Sequence, residues 1–134
     1  MNILLWVLQT LLAVAFLAHG WFFLFPPEAM VAIMNASISP AFRLFIGAAE
    51  VLAAIGLTLP GLTRIRPWLV PSSAAGLVIV MIGAVILHAS RGEVSSTITT
   101  AILLALVTFV AYMRWRVQPI RPRTPVPVGR AGGS

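Results

Sequence analysis

The chain has 134 residues, of which 60% are apolar and only 9% charged; nine basic side chains and three acidic ones give a net charge of +6, and there is no cysteine. So few charges cannot coat a soluble globule of this size, since soluble domains carry about 25% charged residues, and so apolar a chain cannot remain disordered. Thiolate metal sites, iron–sulfur clusters, disulfide relays and covalent haem are excluded with the cysteines.

A bilayer span needs about 20 mainly apolar residues, and the chain holds four such stretches. The first runs from about Ile3 to Phe25 without a formal charge. Its start lacks a basic n-region, and it exceeds the about 7–15 apolar residues of a signal-peptide core, so it reads as a span. Pro26-Pro27-Glu28 ends it. The stretch from Glu28 to Asn35 is too short to cross and reads as an interfacial or re-entrant helix, followed by a membrane-proximal sequon at Asn35-Ala36-Ser37. The second span covers about 41–59, with Pro60-Gly61 as its stop; the third covers about 68–89 and the fourth about 97–113. Arg114-Trp115-Arg116 follows as an interfacial anchor. The expected architecture is an all-α membrane protein: a four-helix transmembrane bundle over residues 1–116, then a disordered basic Pro/Arg-rich tail over 117–134.

Every basic residue is an arginine. Seven of them (Arg64, Arg66, Arg114, Arg116, Arg121, Arg123 and Arg130) fall on the side that holds both termini of a four-span chain. Only Arg43 and Arg91 fall on the other. The positive-inside rule then puts both termini in the cytoplasm, with a bacterial cytoplasmic membrane as the expected location. Because the charges flank apolar spans, anionic lipid headgroups at the tail are the expected partner, and nucleic acid is not.

An ionisable side chain within a span is costly and is a functional hypothesis by default. Glu50 is the strongest case. At 100° per residue, Arg43, Gly47, Glu50 and Ala54 share one face, charged and small, which is expected to point into the bundle. His19 in the first span lies near the same depth, and His88 sits near the same end of the third. Glu50 has two readings: a hydrogen-bonding lock between helices, or a ligand- or proton-binding group. His19 offers proton exchange or an interior hydrogen bond. Arg43 is expected to snorkel to the surface, with substrate contact as the alternative, and His88 to sit at the interface. Together they suggest a polar cavity opening on that side. On the third span, Gly76 and Gly83 read as close helix-packing positions. Trp6, Trp21, Trp68 and Trp115 read as interface anchors. No catalytic or metal-binding constellation is recognisable: the chain has no Asp, no Walker loop, no G-x-S-x-G and no H-E-x-x-H.

The run Arg43-Leu44-Phe45-Ile46-Gly47-Ala48-Ala49-Glu50, continued by Val51 to Leu57, Pro60, Pro67, Pro71, Gly83-Ala84 and His88, resembles the DoxX-like family of small bacterial membrane proteins over about Leu4 to Tyr112. The resemblance implies a four-helix membrane bundle. Relatives of that kind are subunits associated with thiosulfate:quinone oxidation, members of redox-stress complexes, or resemble receptor-assembly chaperones. Arg43, Gly47, Glu50 and His88 carry the family motif, and no catalytic role comes with them. Three functions compete: an accessory or assembly subunit working through a membrane-protein partner or a second copy, a quinone-associated redox protein, and a small-solute or proton carrier.

Overall fold

The computed structural model describes residues 1–125. Five α-helices follow one another: α1 Asn2–Leu24, α2 Glu28–Ser37, α3 Pro40–Thr63, α4 Leu69–Ser90 and α5 Val94–Tyr112, the last passing into a π-helical turn, Met113–Val117. Four of these segments are long and apolar enough to cross a bilayer: α1, α3, α4, and α5 with its π turn. The protein is a four-helix membrane bundle.

The helix ends follow local chemistry. Ser39 caps α3, its side chain accepting from the Phe42 amide (3.3 Å), and Pro40 takes the first helical position, where its missing N–H costs nothing. The expected stop of α3 before Pro60 is not found: the helix runs on to Thr63. A proline removes one backbone bond, and here the next turn is held by packing. A Cβ added to Gly61 would lie 2.7 Å from Trp6 and 2.8 Å from Ile120. The Thr63 hydroxyl also donates back to Leu59 O (2.9 Å). α5 begins earlier than the apolar run suggests, at Val94, with the Thr97 amide bonded to Glu93 O (2.9 Å).

α3 ends on Arg64 in the left-handed region (φ 56°), a position that favours glycine, and Arg66 repeats that conformation (φ 49°). A side chain there costs about 1 kcal/mol. Arg64→Gly is therefore expected to stabilise the bundle by about 1 kcal/mol, read as a higher unfolding midpoint in detergent.

α1 lies along α3, α3 against α4 and α4 along α5, and a shorter α1–α5 contact closes the ring. The core is Leu12, Phe16, Leu57, Leu77, Met81 and Val107 with smaller neighbours. Large apolar side chains such as Ile3, Leu11, Phe45, Leu52, Ile79 and Ile102 face outward, as lipid contact requires. α2 buries none of its residues. Arg91 Nη2 ties its end to the bundle by donating to Ser37 O (2.5 Å). The bundle thus has an α2 end and an arginine-rich end, the latter formed by Asn2, the α3–α4 loop and the π turn.

Beyond the π turn the chain has no helix or strand as far as residue 125. It is nonetheless placed against the bundle, by Ile120 at Gly61 and by the Arg123 amide donating to Arg64 O (3.2 Å). The tail expected from Val117 onward begins with this segment. The remainder of that tail, 126–134, lies outside the described residues.

Candidate functional site

Polar side chains inside the bundle fall into two groups. The first lies toward the α2 end. α1 and α3 run in opposite directions, and helical side chains lean toward the N-terminus of their own helix. His19 and Glu50 therefore lean toward each other, and His19 Nδ1 lies 2.6 Å from Glu50 Oε2. Glu50 is 1% exposed, whereas the His19 side chain is 53% exposed and packs on the Phe23 ring at 4.5 Å. The pair joins the bundle interior to its lipid-facing surface.

Glycines permit this approach. A Cβ on Gly47 would meet Gly20 O at 2.9 Å, and one on Gly20 would meet Gly47 O at 2.8 Å and the Glu50 Cβ at 3.1 Å. The two backbones touch where the pair forms. Arg43, Gly47, Glu50 and Ala54 are all buried, so the face read from the sequence does point inward. Arg43 does not snorkel. It is 8% exposed, and its Nη1 donates to Phe23 O, one of the last carbonyls of α1. Those carbonyls lack helical partners and carry the negative end of the helix dipole, so a cation is well placed there. Arg43 Nε is buried without a hydrogen-bond partner among the described residues. Glu50 is closed in by these neighbours.

His88 is not drawn to this group. Its Nδ1 pairs with Glu93 Oε2 across the α4–α5 connection. Gly76 and Gly83 face outward, and a Cβ on either would meet nothing within 4 Å. They pack against no helix within the described residues.

The second group lies at the arginine-rich end, where Arg114-Trp115-Arg116 is expected as an interfacial anchor. Arg114 is instead buried, 2% exposed. Its Nε donates to Gln9 Oε1, and its Nη1 to Asn2 Oδ1 (2.7 Å) and Gln118 O (3.2 Å). Gln9, itself fully buried, donates onward to Leu57 O (2.7 Å). The guanidinium lies 5.2 Å from the centre of the Trp6 ring. Between the two groups the core is apolar: Leu12, Phe16, Ala54 and Leu57. Among the described residues no three His, Asp or Glu side chains cluster as metal ligands would.

Clefts on the surface of the described residues include two of similar size. One, of about 340 Å³, follows the α1–α3 seam between Trp6, Thr10, Val14, Leu17, Ile55 and Leu62. At 100° per residue, His19 lies on the far flank of α1 from this groove. The other, of about 400 Å³, lies at the arginine-rich end.

Residues 7–110 match the family model described as the DoxX-like family. The chain belongs to the DoxX-like family. No curated protein and no solved structure matches the chain. The DoxX-like region contains His19, Arg43, Gly47, Glu50 and His88, and therefore the whole His19–Glu50 pair. It stops short of Arg114, so the buried guanidinium lies beyond the part of the chain that carries the family likeness.

Sequence reasoning missed Gly20, the inward turn of Arg114 and the pairing of Glu93. Gly20 had a signal: it is a small residue beside the one ionisable side chain of α1. Arg114 had none, because its burial depends on a π turn and on Gln9 and Asn2 at the other end of the chain.

Proposed function

We propose that this DoxX-like membrane protein is an accessory or assembly subunit, acting through the outer surface of its bundle on a membrane-protein partner or a second copy. The observation that carries this reading is how the intramembrane polar groups are used. Glu50 is engaged by His19, Arg43 by the end of α1, and Gln9 by Leu57 O and Arg114. The two groups are separated by an apolar core, which favours neither a proton path nor a solute path. A lipid-phase quinone would need its head at His19 and its tail in an apolar groove. The α1–α3 groove lies on the wrong flank for that. The arginine distribution favours termini in the cytoplasm.

The test is mass spectrometry of material that co-purifies with the protein in native-lipid discs, for wild type and Glu50→Gln. A protein partner or second copy at fixed stoichiometry, without a quinone, is the expected result. A quinone retained by wild type and lost from Glu50→Gln overturns the reading in favour of redox chemistry. Proton or solute flux in proteoliposomes that disappears with Glu50→Gln overturns it in favour of a carrier.

A further inference from the structure

Arg114 poses a charge problem that the chain's own side chains do not solve. A guanidinium keeps its proton in proteins, and a buried charge is tolerated only when paired. Its hydrogen-bond partners, Gln9, Asn2 and the Gln118 carbonyl, are all neutral. The chain has three acidic side chains. Glu50 is paired with His19, Glu93 with His88, and Glu28 opens α2, all in the opposite half of the bundle. One donor of Arg114, Nη2, is buried with no hydrogen-bond partner among the described residues.

Arg114 also forms part of the wall of the cleft of about 400 Å³ at the arginine-rich end. The cleft lies between the first turn of α4, with Trp68, Pro71 and Ser72, and the π turn with the segment behind it, with Trp115 and Ile120. The π turn, closed by the Gln118 amide on Met113 O (2.6 Å), turns Arg114 inward and leaves Trp115 outside. Trp68 and Trp115 are both exposed. Indoles favour the headgroup level of a bilayer.

We infer that this cleft is a binding site for an anionic phospholipid, whose phosphate supplies the missing counter-charge to Arg114. Planar guanidinium donors suit phosphate oxygens. The Trp68, Pro71, Trp115 and Ile120 walls suit the glycerol and upper acyl chain, which favours a lipid over a soluble anion. The site is separate from the diffuse attraction between exposed arginines and an anionic surface, which salt screens. It stands whether or not the chain has a protein partner.

The test uses the full-length protein in mild detergent at high salt. Phosphatidylglycerol, phosphatidylcholine and inorganic phosphate are added separately, and binding is read by native mass spectrometry and by thermal shift. Wild type is expected to hold one phosphatidylglycerol about tenfold more tightly than phosphatidylcholine. Arg114→Gln is expected to lose that preference, while Arg116→Gln and Arg121→Gln keep it. If Arg114→Gln fails to fold, Trp115→Ala replaces it and must weaken retention of phosphatidylglycerol. Equal retention of the two lipids by wild type overturns the proposal, as does a preference lost with Arg116→Gln rather than with the cleft variants. Stabilisation by inorganic phosphate equal to that by phosphatidylglycerol overturns the lipid assignment.

Discussion

Gly47→Val is expected to be the most damaging single substitution in the bundle. The backbones of α1 and α3 touch at Gly47 and Gly20, and the nearest atom to a new Cβ is the Gly20 carbonyl oxygen, 2.9 Å away. Backbone cannot rotate aside as a side chain can, so the helices must separate. Separation also breaks the His19–Glu50 contact, which forms one turn from the crossing. Overpacking typically costs about 1–3 kcal/mol. Gly47→Ala should fall in that range, and Gly47→Val should exceed it because it also costs the buried pair. Gly76→Val and Gly83→Val serve as controls: with nothing within 4 Å they should be close to neutral in an isolated chain. Reversible unfolding in bicelles measures all four. If Gly76→Val proved as damaging as Gly47→Val, the outer face of α4 would be a contact between copies.

The second large effect lies in the pair itself. His19→Ala leaves the carboxyl group of Glu50, 1% exposed, without its partner. An unsatisfied buried polar group costs about 1–3 kcal/mol. Glu50→Ala should cost at least as much, because it also leaves a void in the α1–α3 seam. The double variant should be less damaged than the sum of the two. A coupling of about 0.6 kcal/mol is the average for hydrogen bonds between membrane helices, with about 1.7 kcal/mol as the upper end. A double-mutant cycle that gives additive effects would show that the contact contributes no stability.

Much of the bundle was legible because the bilayer imposes a simple rule. A span needs a long apolar run, and such runs are visible without knowing what packs on what. The shared face of Arg43, Gly47, Glu50 and Ala54 was legible for the same kind of reason, since it follows from helical geometry alone, and all four are buried. What the periodicity does not carry is which neighbour a face meets. Gly47 and Gly83 look alike as small residues in apolar helices. A Cβ on the first would press on Gly20, and one on the second would meet nothing within 4 Å among the described residues. Pro60 looked like a helix stop because the local rule is strong, yet packing of Gly61 on Trp6 overrides it. Arg114 was the least legible. Its string, Met113-Arg114-Trp115-Arg116-Val117, has the composition of an interface anchor, and its partners Gln9 and Asn2 lie 105 and 112 positions away. A buried charge that depends on contacts so remote leaves no local signature.

Under the proposed function, the His19–Glu50 pair holds the bundle and performs no chemistry of its own. Replacing both partners at once by apolar residues tests it most directly, because a buried pair exchanged for well-packed apolar side chains is often neutral or stabilising. The variant is His19→Leu with Glu50→Met, purified in native-lipid discs. Its stability and its co-purifying proteins, lipids and small molecules are then compared with those of wild type. A folded bundle with the same set of companions is expected. A folded bundle that has lost a bound small molecule would contradict it and make Glu50 a site of chemistry.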